Sequence, residues 1–358
     1  MTAEANGRAR ANDRATIEDV ARYANVSTAT VSRLLNGTSA VAEETASRIY
    51  EAIEQLHYVA HAAARGLASQ KHHTIGVIVP DTSSYFVASL LRGITEALLD
   101  SQYDTLIFVT PTQVSIQSGR PLPLGEHNTD GLIVFNQLVS DDTLRLLERR
   151  GLPLVLLFRE PPDESHIPCI NFENYQAAYE LTEHLIVNCG RRRIAFLRGL
   201  ANFPDSQWRE NGYRQAQLDH GITPDESLIA VGGFRVQLAE QVVQEWMAEG
   251  REMDAIFAAD DNMAMGAIKA LRQAGKSVPD DIAVVGFNDD LPSRYLSPAL
   301  TTVYAPAEEV GRSAANTLLA LMDGQPIHEA IVLPTHLIIR QSCGSLSVPQ
   351  SVSLSAND

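Results

Sequence analysis

Apolar residues between positions 15 and 58 recur at the three- and four-residue spacing of helices. From residue 74 the pattern changes to short apolar runs separated by amphipathic stretches. In the first region Ile17, Val20, Ala21 and Ala24 mark one buried helix face, Val31 and Leu34 a second, and Ile49, Ile53 and Leu56 a third. Thr16, three residues before Asp19, reads as a capping start for the first helix, and Ser27, three before Thr30, sets a hydroxyl at the start of the second. Between them Asn25 can take the left-handed backbone conformation that a sharp turn requires. Ala42 offers the third helix no side-chain cap, but Glu43 and Glu44 suit its positive end. The pattern predicts helix, turn, helix, with Thr28, Ala29, Ser32 and Arg33 on the outer face of the second helix. By itself such a face reads equally as a DNA-reading surface or as the solvated outside of a small domain.

Beyond residue 74 the apolar runs fall at 74–80, 104–110, 130–136 and 152–159, then at 193–199, 226–234, 254–260 and 281–289. Helical patterns at 87–100, 173–189, 238–249 and 262–274 separate them, and the residues after 199 continue as a helix that carries Arg209. Strands apolar throughout and alternating with helices imply parallel sheets covered on both faces. Two sets make two lobes, and ligands in such sheets bind beyond the carboxyl ends of the strands, here in the cleft between lobes.

Length and charge refine this division. A chain of 358 residues exceeds what a three-helix head needs, so further domains with cores of their own are required. The net charge of −16 is unevenly spread: residues 1–72 hold eight basic and eight acidic residues, leaving 20 basic against 36 acidic in the rest. A neutral head must grip phosphates with a few placed cations, such as Arg8, Arg10, Arg14, Arg22, Arg33 and Arg65, while the acidic body repels nucleic acid. No run reaches the ~18 apolar residues of a membrane span and the N-terminus has no apolar signal core, so a cytoplasmic protein without membrane contact is expected. Cys169, Cys189 and Cys343 lie far apart without paired spacing, which argues against a disulfide framework or zinc site and for buried small hydrophobes. His72 and His73 read as solvated rather than metal-binding, and no metal or cofactor is expected.

Thr16 to Asn36 carries the run T-hydrophobic-x-D-V-A-x-x-A-x-V-S-x-x-T-V-S-R-x-L-N nearly position for position. In this the chain resembles the LacI/GalR family of bacterial repressors, with Asn25 standing where many members have Gly. The resemblance implies DNA contacts from Thr16, Ser27, Thr28, Ala29, Thr30, Ser32, Arg33 and Asn36. It also identifies HAAARGLASQK, from His61, as similar to the family's hinge. There a short helix would fold when two copies meet on the operator, with Leu67 wedged into the minor groove and Arg65 beside it. Ala60-His61 departs from the Pro-Asn often found at the hinge start. The implied fold is a small all-α helix-turn-helix DNA-binding domain followed by an α/β body of two Rossmann-like, periplasmic-binding-protein-like lobes. The expected boundaries are an N-terminal arm (1–14), the head (15–60), hinge and linker (61–73), effector-binding and dimerisation body (74–342) and a Ser-rich disordered tail (343–358). The chain would cross between lobes near Asn171, Thr301 and Pro334, giving lobe 1 residues 74–171 and 302–333 and lobe 2 residues 172–301 and 334–342.

Cleft residues follow from the strand ends: Ser84, Tyr85 and Phe86; Phe135 and Asn136; Phe158 and Arg159; and, on the second lobe, Phe234, Asp260 and Asn288. Ring faces with Asp, Asn and Arg suit a polyol, whose C–H face packs on a ring while its hydroxyls meet polar groups. The resemblance adds roles for single positions. Arg209, in the Ser206-x-x-Arg209-x-x-Gly212-Tyr213 motif, would be the effector-binding arginine; Asp260 and Asn288 fall in two further motifs; Phe158 stands where a polar residue is common. Asp261 and Asp289 read as helix-capping or lobe-stabilising residues, and Phe135 as either core or cleft. No G-x-S-x-G elbow, phosphate loop or H-E-x-x-H motif is present, so an enzyme reading has no catalytic constellation. What is expected is a non-enzymatic regulator that binds a double-stranded DNA operator as a homodimer under a sugar-like effector. A purine or other non-sugar effector, and a cytoplasmic sugar-binding protein, are the alternatives.

Overall fold

In the computed structural model, residues 15–35, 40–58, 71–110 and 122–344 are described. The chain divides into two units between His73 and Thr74. Asn36, Arg65 and Leu67, the hinge, the N-terminal arm with its three arginines, and the tail beyond residue 344 lie outside the described residues.

The first unit holds α1 (Ile17–Tyr23), α2 (Thr28–Leu35) and α3 (Glu43–Gln55). The Thr16 side chain accepts from the Asp19 amide at 3.3 Å, and the Asp19 carboxylate accepts from the Thr16 amide at 2.9 Å. This reciprocal capping box starts α1 and satisfies two amides that have no partner within the helix. Ser27 Oγ accepts from the Thr30 amide at 3.1 Å and starts α2 the same way. Asn25, at φ 53°, makes the turn between them. Val20, Val31, Ile49 and Ala52 are fully buried at the centre of the three helices, with Ile17, Leu34, Ile53 and Leu56 packed around them. Each complete burial of a Val or Ile is worth about 2 kcal/mol, enough for a small core that has no disulfide to assist it. Ala42 makes no side-chain cap to α3.

Among the described residues, the second unit contains three sheets. The largest is parallel, in the order β11 (Ala330–Leu333), β5 (Cys169–Phe172), β4 (Leu154–Leu157), β3 (Gly131–Phe135), β1 (Thr74–Val79), β2 (Asp104–Val109). A four-stranded parallel sheet has β7 (Ile229–Val231), β6 (Ile194–Arg198), β8 (Ala255–Ala258) and β9 (Ala283–Val285), and β10 (Thr302–Tyr304) pairs antiparallel with β12 (His336–Ile338). The helices are α4 (Tyr85–Leu98), α5 (Asp141–Arg149), α6 (Asn174–Val187), α7 (Pro204–Asp219), α8 (Val236–Ala248), α9 (Asp261–Gln273) and α10 (Ala307–Met322). Every residue of β3, β4, β5 and β8 is buried, as strands covered on both faces must be.

Several elements differ from the sequence pattern. The first sheet gains β5, whose apolar run is broken by Asn171, and β11, which has no buried residue. The run at 226–234 yields a single turn of 3-10 helix and three strand residues, and the run at 281–289 yields only β9. Helices α5 and α10 also appear. Chain passages between the two parallel sheets fall at 172–174, 304–307 and 333–336. His72 and His73 are half-buried, not fully solvated. Sequence distance also misleads for the cysteines: Cys189 and Cys343 come within 4.8 Å of each other and of His184, whereas Cys169 is buried in β5.

Candidate functional site

On the first unit, Thr28, Ala29 and Arg33 are exposed on the outer side of α2, while Ser32 and Thr30 are half-buried. Ser27 and Thr30 hydroxyls lie 2.9 Å apart. The Arg33 guanidinium folds back along its own helix, donating to Ala29 O at 3.2 Å and Thr30 Oγ1 at 3.4 Å. Arg22 pairs with Asp19 at 3.1 Å. Thr16 and Ser27 therefore have a capping duty that needs no ligand.

The second unit has a cleft of about 630 Å³ between its two parallel sheets. One wall comes from Pro80, Asp81, Ser83, Ser84, Phe86, Val87 and Phe135; the other has Leu200, Phe203, Asp205, Arg209, the 233–237 stretch, Asp260, Asn262 and Asn288. Of the nominated residues, Ser84, Phe86, Phe135, Arg209, Phe234, Asp260 and Asn288 line it. Tyr85, Asn136, Phe158 and Arg159 do not. Tyr85 starts α4 and is 46% exposed. Asn136 is buried and donates through Nδ2 to Asp205 Oδ1 at 3.1 Å, a hydrogen bond from one lobe to the other. Phe158 is the hub of an aromatic cluster, with ring centroids 5.3 Å from Phe86, 5.0 Å from Phe135 and 5.4 Å from Phe172. Arg159 is consumed by Asp141 Oδ1 at 2.5 Å and by the carbonyls of Glu160 and Val139. Phe135 is both core and cleft: 6% exposed, ring-packed, and at the cleft wall.

Residues that strand-end reasoning passed over complete the site. Asp81 Oδ1 accepts the amides of Ser83 and Ser84, each at 2.8 Å, which shapes the loop after β1; D-x-S-S is a legible signal for such a turn. Phe203 and Asp205 flank Pro204 at the start of α7, where a proline and an acid mark a helix beginning. Arg235, Gln237 and Asn262 carry no comparable signal.

Arg209 is the electrostatic centre. Only 2% exposed, it donates through Nε to Asn174 Oδ1 at 2.8 Å and through a terminal nitrogen to Ala259 O. Its guanidinium carbon sits 3.9 Å from the Phe287 ring centroid. Gly212, one turn on, lets α7 lie close against α6: a Cβ there would stand 2.3 Å from Tyr175 O. Gly199 likewise leaves room for the Phe234 ring, 2.0 Å from where its Cβ would be. Burial works against the charge on Arg209, and Asp205, Asp260, Asp261 and Asp290 oppose that loss. Guanidinium deprotonates far less readily than carboxylate protonates, so the carboxylates yield first. Burial raises Asp205 despite Arg209, and pushes Asp260 up to about 6. Burial raises Asp261, with the charge of Asp260 adding to it, and burial raises Asp290, with the charges of Asp261 and Asp260 adding to it.

These carboxylates divide their work. Asp260 caps α9, accepting from the Met263 amide at 2.8 Å. Asp261 instead ties three segments together, accepting from Thr302 Oγ1 at 2.6 Å, Ser293 Oγ at 2.7 Å and the Asp290 amide at 2.8 Å. Asp289 pairs with Arg340 at 2.6 Å and Arg294 at 3.1 Å. Asn288 Oδ1 is buried at the cleft with no hydrogen-bond partner among the described residues.

Comparison with known proteins places this architecture. The model for bacterial regulatory proteins of the lacI family matches residues 16–61, and that of the periplasmic binding protein-like domain matches residues 182–343. The chain is 35% identical to the HTH-type transcriptional regulator RegA of Clostridium acetobutylicum, over 92% of this chain and 99% of that protein. The chain belongs to the LacI family. Another LacI-family relative, catabolite control protein A of Priestia megaterium, is 32% identical over 91% of this chain and 98% of its own. The HTH-type transcriptional repressor PurR of Aliivibrio fischeri is 34% identical over 85% and 91%. Among solved structures, the transcriptional regulator CelR–cellobiose complex superposes with a TM-score of 0.66 at 28% identity, covering 92% of this chain and all of that one. The lac repressor dimer bound to operator and an anti-inducer shares the fold, with a TM-score of 0.76 at 24% identity over 92% and 99%. A LacI-family transcriptional regulator with a DNA-binding helix-turn-helix head is thus the coarse identity of this chain. No helix among the described residues is long and apolar enough to cross a membrane.

Proposed function

We propose that the protein is a cytoplasmic repressor that binds a pseudo-palindromic operator as a homodimer and is controlled by a sugar or sugar derivative held in the cleft. The cleft carries this reading. Phe86, Phe135, Phe203 and Phe234 offer ring faces, while Asp81, Asp260, Asn288 and Arg209 offer donors and acceptors around them. That mixture matches the alternating C–H and hydroxyl surface of a polyol. Cellobiose on CelR supports a saccharide, and a purine remains the competing class because PurR repressors share the architecture.

In the head, Thr28 and Ala29 are too short for bidentate hydrogen bonds and would meet thymine methyl groups or bridging water; Arg33 would leave its own helix to reach a base or phosphate. Leu67 of each protomer would wedge into the minor groove between the two half-sites, with Arg65 on the backbone. A ligand that favours one arrangement of the lobes would bias operator affinity, and operator would bias ligand affinity equally.

Electrophoretic mobility of palindromic promoter fragments, combined with a thermal-shift screen of sugars, sugar acids and nucleobases, tests both halves. A sugar that raises the melting temperature and changes the shift of an operator fragment is the expected result. No shifted fragment at low salt removes the repressor reading, and stabilisation by nucleobases alone replaces the sugar.

A further inference from the structure

His184 lies in the last turn of α6, Cys189 just beyond that helix, and Cys343 in the last described segment of the chain. His184 Nε2 is 3.5 Å from Cys189 Sγ and 3.5 Å from Cys343 Sγ, and all three donor atoms fall within 4.8 Å of one another. A zinc ion bound tetrahedrally at about 2.3 Å from sulfur and 2.05 Å from nitrogen would hold an S and an N roughly 3.5 Å apart. Both sulfur-to-imidazole distances already meet this requirement, and one ion could touch all three donors without the backbone moving far.

The surroundings suit the same purpose. Cys343 is fully buried, whereas His184 and Cys189 are half-buried, so the donors meet at a place shielded on one side and reachable from the other. Thr301 Oγ1 donates to Cys343 Sγ at 3.2 Å, the outer hydrogen bond that typically orients a ligating sulfur. Two thiolates and a divalent cation cancel in charge, so an ion here would add none to a partly buried place. Thiolate and imidazole together select zinc over magnesium or calcium.

We propose that His184, Cys189 and Cys343 form a zinc site with a fourth position open to solvent. Binding replaces the two thiol protons with one metal ion, releasing up to two protons and changing no oxidation state. The ion would tie the end of α6 to the segment that also carries Arg340. Arg340 in turn pairs with Asp289, next to the cleft residue Asn288. The site stands apart from the cleft, whose lining contains none of its ligands.

The test uses full-length protein, stripped with a chelator, kept under a phosphine reductant, and titrated with Zn²⁺ alone and with Co²⁺ alone. One metal per chain is expected, with a near-ultraviolet thiolate-to-cobalt charge-transfer band and the visible bands of tetrahedral cobalt. Cys189→Ser and His184→Gln should each weaken Zn²⁺ binding more than about 10-fold, while Cys169→Ser leaves it unchanged. Because Cys343 is buried and its replacement could unfold the body, the two half-buried positions decide the matter. No stoichiometric metal in the wild type, or a charge-transfer band that persists in the Cys189→Ser/His184→Gln double variant, overturns the proposal. A Cys189–Cys343 disulfide in air-purified protein, with no metal affinity after reduction, assigns the pair to redox chemistry and overturns it too.

Discussion

The two walls of the cleft are built on different principles. On the second lobe, charge is concentrated and buried: Arg209 serves Asp205, Asp260, Asp261 and Asp290 at once, and its ring contact with Phe287 closes the back. On the first lobe the strand ends supply rings. Phe158 gathers Phe86, Phe135 and Phe172, and Phe172 stacks on Phe287 at 6.1 Å, so the aromatic floor runs under the cleft to Arg209. Polar groups on that side come from the loop after β1 instead, through Asp81, Ser83 and Ser84. One lobe therefore holds its polar ligands rigidly by burial, and the other presents them from a turn. Specificity for a ligand's orientation should reside in the first, and tolerance in the second.

Removing the shared cation breaks this contrast most severely. Arg209→Ala leaves at least two carboxylates buried without their counter-charge, and loss of one partner from a buried ionic network costs about 3 kcal/mol or more. The melting temperature of the variant should fall by several degrees, and its response to any cleft ligand should vanish. The deficit should shrink at lower pH, because the carboxylates left behind can then be neutral. A variant that melts like the wild type at pH 7 would show that Arg209 does not hold the carboxylates together.

The carboxylates themselves make a smaller, pH-dependent prediction. Asp260 titrates near 3.8 when unfolded and at about 6 when folded, and Asp261 and Asp290 move in the same direction. A raised folded value means the native state holds the extra protons. The stabilisation is fully present below the unfolded value and is lost as pH climbs through the folded one. For Asp260 the full loss is about 3 kcal/mol, because each tenfold gain in proton affinity on folding is worth about 1.4 kcal/mol. The body should therefore melt higher at pH 5 than at pH 8. Asp290→Asn, which removes one of these buried carboxylates, should flatten that slope and raise stability at pH 8 by on the order of 1 kcal/mol. Parallel melting curves for wild type and variant across this range would assign the pH dependence to general repulsion in an acidic body instead.

The same contrast explains what could be read from the chain alone. Head elements were legible because their causes are local: Thr16 with Asp19, Ser27 with Thr30, and Asn25 in the turn act within a few residues. Lobe 2 was legible because Asp260 and Asn288 closely follow strands β8 and β9, and because Arg209, inside α7, sits in the Ser206-x-x-Arg209-x-x-Gly212-Tyr213 motif. On lobe 1, Tyr85, Asn136, Phe158 and Arg159 do not line the cleft. Asn136 and Phe158 have positive φ, at 47° and 58°, but Phe234 and Asn288 share that trait and still line the cleft. The difference is tertiary. Three rings and the carboxylate of Asp141 claim Phe158 and Arg159, and neither partner set is near in sequence. Strands β5 and β11 escaped because β5 follows Pro168 and carries the polar Asn171, and no residue of β11 is buried. Cys189 and Cys343 escaped likewise, because only folding brings such widely separated positions together.

The smallest expected effect is the most pointed test of the aromatic wall. Tyr85 and Phe86 are neighbours at the start of α4, yet only Phe86 faces the cleft, while Tyr85 is 46% exposed. If the first lobe recognises a ligand through ring faces held by Phe158, Tyr85→Ala should change cleft affinity less than about 2-fold, and melting by no more than a surface substitution does, about 0.5 kcal/mol. Phe86→Ala should weaken binding at least about 10-fold, because it removes one ring face and also unpacks the cluster beneath it. Calorimetric titration of both variants with the ligand found by thermal shift separates them. Equal losses at the two positions would mean that α4 shifts when ligand enters, bringing Tyr85 to the wall, and the first lobe would then be an adapting surface and not a preformed one.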